Sequence, residues 1–219
     1  MTDPTQDMLC LQDFDETIAE FYRMVAPKVP WGDFGSILVH GMTSYSAPDT
    51  RPPELLRAGP FVPPISFPTF CVVVTEVVRN ELEFSGLTGF SFIPAIKKVT
   101  VSINWHEWDL LGEEPQFYPN EGEPENYISE EEHSAELAKH MPDLWRLVIP
   151  RGAKEIREPP RGAGNPLDFG QVFIRANSWQ GTDFFSADIT LFNYVSPRAR
   201  QWLLDRYPAW LAFRPVLTK

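Results

Sequence analysis

The chain has 219 residues, with 30 acidic and 19 basic side chains, which gives a formal net charge of −11 at pH 7. Hydrophobic residues make up 43% of the sequence, enough for a substantial core, and this excludes a collagen-like, coiled-coil or fully disordered chain. An acidic surface repels phosphate backbones, so the composition argues against a general nucleic-acid-binding protein. The 22 prolines are about twice the usual share, which predicts much turn and loop structure.

The sequence carries no signal for secretion or membrane insertion. Residues 1–7 are polar and acidic, and the longest aliphatic run, near Phe70–Val74, is far shorter than the ~18 residues that a membrane span needs. Cys10 and Cys71 form neither a CxxC pair nor a disulfide framework. We therefore expect a cytoplasmic protein without a membrane partner.

The first elements are predicted from apolar spacing and from glycine and proline. Apolar residues at spacings of three and four predict an amphipathic helix over Phe14–Val25, which ends before Pro27. The apolar run Ser36–His40 lies between two glycines and predicts a short strand. The proline-rich region 47–68 is predicted to be extended, with one helical turn at Pro53–Arg57.

Two segments share one strand-helix-strand pattern. The β-branched run Phe70–Val74 predicts a buried strand, Thr75 suits a helix N-cap, a short helix follows, and Phe90–Ile93 alternates like a strand. A shift of 121 residues, without a gap, aligns this segment with the chain end: Val74 with Val195, Thr75 with Ser196, Arg79 with Arg200, Leu82 with Leu203, Phe92 with Phe213, Pro94 with Pro215 and Lys98 with Lys219. Self-similarity at one fixed shift is typical of a repeated unit, although any capped strand-helix-strand unit gives a few such matches.

We therefore predict an α+β fold in a single domain over residues 1–219. Its two strand-helix-strand units lie at about 70–98 and 188–219, with an acidic, proline-rich insertion between them. Within and after that insertion, the pattern predicts a strand over Val99–Trp108 and a helix over Ser129–His140 that begins with a capping box. Residues Arg151–Asn165 are predicted to be a flexible connection, and Gln171–Ala176 a strand.

No standard catalytic or metal-binding motif is present. The sequence lacks GxSxG, a phosphate-binding glycine loop, HExxH and paired CxxC motifs. His133, Glu136 and His140 share a helical face, but an ordinary solvated, ion-paired face is the preferred interpretation. Strand alternation separates His106 from Glu107, so core packing is preferred there too. We expect no enzyme activity, no cofactor and no metal.

The charge distribution is the most unusual feature. Between Val99 and Ala138 there is no lysine or arginine, whereas the same stretch holds eleven acidic residues with aromatic residues among them. Such a stretch is either a solvated loop that keeps the protein soluble or a surface that docks a basic partner protein. For docking, the expected contact residues are Glu113, Glu114, Phe117, Tyr118, Glu121, Glu123, Glu125 and Tyr127.

Several of these segments resemble immunity proteins of bacterial polymorphic-toxin systems. Val74–Arg79 followed by Gly86–Phe92, and the residues from Val195–Arg200 onward, resemble the V-S-E-R helix and G-L-T-G-x-x-F pattern of those proteins. The N-terminal helix leading into Pro27–Pro30, together with Gly59–Phe61, is similar to the myxobacterial family named for its double CxxCG motif, although neither CxxCG is present here. The resemblance implies a small cytoplasmic protein that neutralises a cognate toxin by stoichiometric binding and has no active site. Toxins of this kind that attack nucleic acid are often basic.

Two other functions stay open. A hydrolase using His106, Glu107 and Asp109 would bring carboxylates with separated pKa values into one cleft. A scaffold or oligomerisation protein would instead expose a large apolar patch. The sequence predicts neither the oligomeric state nor the toxin.

Overall fold

The structure, a computed structural model, describes residues 20–44, 51–69, 71–103, 123–158, 171–190 and 192–219. In chain order the elements are β1 (Phe21–Val25), α1 (Gly32–His40), β2 (Met42–Thr43), β3 (Glu54–Gly59), β4 (Ile65–Ser66), β5 (Val72–Thr75), α2 (Glu76–Phe84), β6 (Ser91–Pro94), β7 (Ile96–Ser102), α3 (Asn126–Ser129), α4 (Ala135–His140), β8 (Leu144–Val148), β9 (Glu155–Glu158), β10 (Gln171–Ile174), β11 (Phe184–Ser186), β12 (Asn193–Val195), α5 (Pro197–Arg206) and β13 (Ala212–Val216).

Two four-stranded antiparallel sheets have the same internal arrangement. Their strand orders are β4-β5-β8-β6 and β11-β12-β1-β13. In each sheet the two strands of a strand-helix-strand unit flank a central strand from elsewhere in the chain, β8 in one and β1 in the other. The register agrees as well, with Trp145 opposite Val74 and Pro94 in the first sheet and Tyr22 opposite Val195 and Pro215 in the second.

The α+β class predicted from the sequence is therefore confirmed. Strand, helix and strand follow one another in both predicted units, and Thr75 and Ser196 are the N-caps of α2 and α5. Ser196 accepts a hydrogen bond from the Ala199 N–H, whereas the Thr75 side chain makes no capping hydrogen bond. A duplication as the origin of the two units, and the single domain over 1–219, stay predictions.

The arginines that align in the two units occupy equivalent places. The Arg79 guanidinium on α2 lies 4.0 Å from the centre of the Trp145 ring on β8. The Arg200 guanidinium on α5 lies 4.4 Å from the centre of the Tyr22 ring on β1. Each arginine therefore joins its helix to the central strand of its sheet by a cation–π contact. Arg79 also pairs with Glu76 at 3.2 Å.

The loop after α2 fastens the first unit to the second. The Thr88 N–H and hydroxyl donate hydrogen bonds of 3.0 and 3.1 Å to one carboxylate oxygen of Asp183, just before β11. The Ser196 hydroxyl donates to the other oxygen at 2.9 Å. Arg198 donates to the Gly86 carbonyl at 2.6 Å. Two of the residues that carry the resemblance to immunity proteins, Gly86 and Thr88, thus have a structural role here.

Gly89 lies at this junction, in a position where no larger residue fits. Its backbone has a φ of +89°, and a Cβ atom placed there would lie 2.0 Å from the Phe184 carbonyl oxygen. The Phe184 N–H in turn donates to the Thr88 carbonyl at 2.9 Å. The chain can make this close approach only with glycine.

The buried residues form several clusters that follow this architecture. The largest combines residues of both units, including Val74, Val78 and Leu82 from the first and Val195 and Leu203 from the second. A second cluster lies between α1, α3 and the sheet β2-β3-β7. A third is formed by residues of β1, β10, β11, β12 and β13, among them Phe185 and Tyr194.

Three predictions for the first third of the chain are wrong. Residues Phe21–Val25 form the central strand β1, not the end of a helix. Side chains on both faces of this strand are buried, so its apolar residues match the periodicity of a helix as well as that of a strand. Residues 14–19 of that predicted helix lie outside the described residues. Ser36–His40 belongs to α1, and the predicted helical turn at Pro53–Arg57 is largely β3, which pairs in parallel with β7.

Predictions for the later segments are partly confirmed. Strand β7 begins at Ile96, three residues before the predicted start, and β10 lies in the predicted strand Gln171–Ala176. Of the predicted helix Ser129–His140, only Ala135–His140 is helical as α4, and Ser129 is the last residue of α3. The capping box predicted at Ser129 is wrong, because the N-cap of α4 is Ser134, at 3.3 Å from the Leu137 nitrogen. Strand β9 lies within Arg151–Asn165, the segment predicted to be a flexible connection. This part of the connection is ordered as a strand because it pairs with β10.

Candidate partner-binding surface

The structure describes only part of the predicted contact region. Residues 104–122 lie outside the described part of the chain. Among them are five predicted contact residues and the three residues of the hydrolase alternative, namely Glu113, Glu114, Phe117, Tyr118, Glu121, His106, Glu107 and Asp109. The remaining predicted contacts are described: Glu123 and Glu125 are exposed, and Tyr127 is buried.

Tyr127 anchors the acidic region through its buried ring. Its side chain is 6% exposed and belongs to the cluster with Trp31 and Leu56. The ring meets that of Phe34 edge to face, with centroids 5.7 Å apart. The neighbouring Ile128 is fully buried. Burial raises the pKa of the Tyr127 phenol. Burial leaves little of the Tyr127 ring accessible, and its role as a contact residue stays a prediction.

We use the name acidic segment for residues 123–136. It carries six glutamates and neither lysine nor arginine, and all six are exposed: Glu123, Glu125, Glu130, Glu131, Glu132 and Glu136. Within the described residues, only Glu136 lies near basic side chains, with Lys139 at 4.0 Å and the imidazole of His140 at 3.6 Å. The other five carboxylates form no ion pair there and leave a surface of uncompensated negative charge.

Hydrogen bonds to the edge of β7 hold the acidic segment against the sheet. The Thr100 N–H donates to Nδ1 of His133 at 3.0 Å, and the Ser134 N–H donates to the Thr100 carbonyl at 2.8 Å. Just beyond the segment, the Lys97 ammonium donates to the carbonyls of Ala138 and Met141, at 3.0 and 2.8 Å. Lys97 thereby satisfies carbonyl groups at the C-terminal end of α4. The carboxylates are consequently presented from a fixed backbone.

The histidines of this region are engaged in local hydrogen bonds. His133 accepts from Thr100, and Nδ1 of His140 donates to the Glu136 carbonyl at 2.8 Å.

Among the described residues no group of three or more His, Cys, Asp or Glu side chains converges to hold a metal ion. No helix within the described ranges is long and apolar enough to cross a membrane. Burial raises the pKa of the free Cys71 thiol to about 11, which disfavours the nucleophilic thiolate at neutral pH.

The sequence did not identify the anchors of the acidic segment. Ser134 carries the same N-cap signal as Ser129 and could have been chosen as the start of the helix. The pairing of His133 with Thr100 spans 33 residues, and no local pattern encodes it. Lys97 is likewise far in sequence from the carbonyls that it binds.

Comparison with known proteins adds no assignment. The chain matches no protein-family model, and no significant match was found among curated proteins or solved structures.

Proposed function

We propose that the protein is an immunity protein, which binds a cognate bacterial toxin through its acidic segment and neutralises it by stoichiometric contact. The observation that carries the proposal is a set of five exposed glutamates on an anchored backbone, none of them ion-paired with any described residue: Glu123, Glu125, Glu130, Glu131 and Glu132. The partner surface is basic. In this proposal the protein acts in the cytoplasm as a binder, not as an enzyme.

The proposal is supported by the way in which the negative charge is held. A charged group that is already neutralised within its own protein contributes little to attracting a partner. The five unpaired carboxylates lie within a short stretch of chain, so their fields add and steer an oppositely charged partner into contact. Anchoring by Tyr127 and Ile128 lowers the ordering entropy that a flexible acidic loop would lose on binding.

The resemblance to immunity proteins supports the choice of a toxin as partner. The residues that carry the resemblance join the two units, as Thr88 does through Asp183, and lie apart in sequence from the acidic segment. In this interpretation the shared pattern encodes the scaffold, while the acidic segment supplies the contact with a particular toxin. The hydrolase alternative rests on His106, Glu107 and Asp109, which lie outside the described residues.

Neutralising the acidic segment is expected to slow association with the toxin. The test variant carries Gln at Glu123, Glu125, Glu130, Glu131 and Glu132. The partner is isolated on the immobilised wild-type protein from the source cells, purified, and its association rate measured at low and at physiological ionic strength. We expect the variant to associate at least about tenfold more slowly at low salt, with a smaller difference at 0.15 M, where the Debye length is about 8 Å.

A matched control variant separates the position of the charges from their number. It replaces five exposed acidic residues elsewhere with the corresponding amides, at Glu20, Asp33 and Asp205 and at two that are ion-paired, Glu83 with Arg79 and Asp143 with Lys97. Both variants change the net charge by the same amount. The proposed surface is wrong if the two variants slow association equally, or if neither does so at low salt.

A further inference from the structure

Two arginines lie directly opposite each other on neighbouring strands of the second sheet. Arg23 on β1 pairs with Arg214 on β13 in the antiparallel register. Residues in this relation project from the same face, with Cβ atoms about 5 Å apart. Like charges in such a pair destabilise a sheet. In a chain with a net charge of −11, this is an unexpected place for two cations.

No carboxylate in the described part of the chain is paired with either of these two arginines. Among the described residues, neither guanidinium forms an ion pair or a hydrogen bond. Arg23 is half-buried and lies over the Phe192 ring, 3.1 Å from its centre, whereas Arg214 is exposed. Burial and the neighbouring Arg214 both lower the pKa of Arg23.

The acidic group that acts on Arg23 electrostatically is already engaged. Glu155 is 3% exposed, and its carboxylate accepts hydrogen bonds from the Thr190 N–H and hydroxyl, at 2.8 and 2.6 Å. It also accepts one from the Tyr194 hydroxyl at 2.5 Å. Glu155 therefore stabilises the loop before β12 and is not within 4 Å of either guanidinium. The pair keeps a local excess of positive charge.

We propose that Arg23 and Arg214 form a binding site for a phosphate group. Guanidinium groups match phosphate oxygens in a bidentate geometry, and two of them side by side suit an anion that carries close to two charges at neutral pH. The Phe192 ring fixes one of the two guanidinium groups, which lowers the entropic cost of binding. A bound phosphate group offsets the repulsion between the two guanidinium groups, which is uncompensated in the free protein. This site is independent of the acidic segment and of the proposed toxin.

The site is tested with inorganic phosphate on the full chain. Thermal unfolding is followed against phosphate concentration, with sodium chloride and sodium acetate at matched ionic strength. Ligand that binds only the native state stabilises it by RT ln(1 + [L]/Kd), so the Tm continues to rise with the logarithm of ligand concentration above the Kd. We expect this rise in Tm with phosphate and none beyond the ionic-strength effect with the other two salts. Equal rises with acetate or chloride would overturn the assignment.

The variant Arg214→Gln distinguishes a phosphate-binding role of this arginine from a purely structural one. It is expected to weaken phosphate binding about tenfold or more, because a charge-assisted contact is lost. Its Tm without ligand should equal or exceed that of the wild type, since the repulsion with Arg23 is gone. Arg51→Gln, which removes another exposed arginine, is the matched control and should keep the full response. The proposal fails if Arg214→Gln responds to phosphate as the control does.

Discussion

Replacing Asp183 with alanine is expected to lower the free energy of unfolding by about 3–4 kcal/mol. Each hydrogen bond to a charged group contributes about 1.5–3 kcal/mol, and the buried donors left without an acceptor add to the loss. Asp183 is 8% exposed and accepts from the Thr88 N–H, the Thr88 hydroxyl and the Ser196 hydroxyl. Its loss removes a contact between the two units and frees the N-cap residue of α5. Urea denaturation measures the change as a shift of the midpoint at constant slope.

An exposed aspartate provides the control for this substitution. Asp205 lies on α5 and accepts a hydrogen bond from Gln201, on the surface of the same helix. Asp205→Ala is expected to change stability by about 0.5 kcal/mol or less. A second variant, Thr88→Val, removes one donor while keeping the size of the side chain, and should cost less than Asp183→Ala. If Asp183→Ala and Asp205→Ala are equally stable, the Asp183 contacts do not join the units as described.

Acidification from pH 7 to pH 4 is expected to cost the protein about 3 kcal/mol through His40 alone, since each pKa unit corresponds to about 1.4 kcal/mol. His40 is 2% exposed, and neither ring nitrogen has a hydrogen-bond partner among the residues that the structure describes. Burial, and then the positive charge of Arg57, lower its pKa from 6.5 to about 4. The unfolded chain therefore takes up the proton first as the pH falls. Stability is full above about pH 6.5 and is lost between pH 6.5 and 4.

The variant His40→Leu isolates this contribution from the other groups that titrate in acid. It should be at least as stable as the wild type at pH 7, because it removes two buried nitrogens for which the described residues supply no partner. Between pH 6.5 and 4 its unfolding free energy should fall less steeply than that of the wild type. Parallel curves for the two proteins would contradict the assignment to His40.

Local signals in the sequence were sufficient for the two strand-helix-strand units. The β-branched run before Thr75, and Pro197 directly after Ser196, each fix the end of a strand and the start of a helix within a few residues. Local signals failed at Phe21–Val25, since a strand buried on both faces has no alternation and its apolar spacing also suits a helix. The environment that decides between them comes from β12 and β13, at the far end of the chain.

The contacts that make up the candidate sites are long-range and could not be predicted from local patterns. Thr88 and Asp183 are 95 residues apart, and His133 reaches Thr100 across 33 residues. The opposition of Arg23 and Arg214 depends on the register between the two ends of the chain. The excess of acidic residues was evident in the sequence, but its anchoring by buried Tyr127 was not, because an aromatic residue among glutamates suits either an interface or a core.

Toxin neutralisation is tested most directly by growth. The partner isolated on the wild-type protein is expressed alone and together with the wild type, the five-glutamine variant of the acidic segment, or its matched control. The partner alone should stop growth, the wild type and the control should restore it, and the five-glutamine variant should restore it less well. A partner that is harmless when expressed alone, or that is neutralised equally by all three proteins, would contradict an immunity function exerted through the acidic segment.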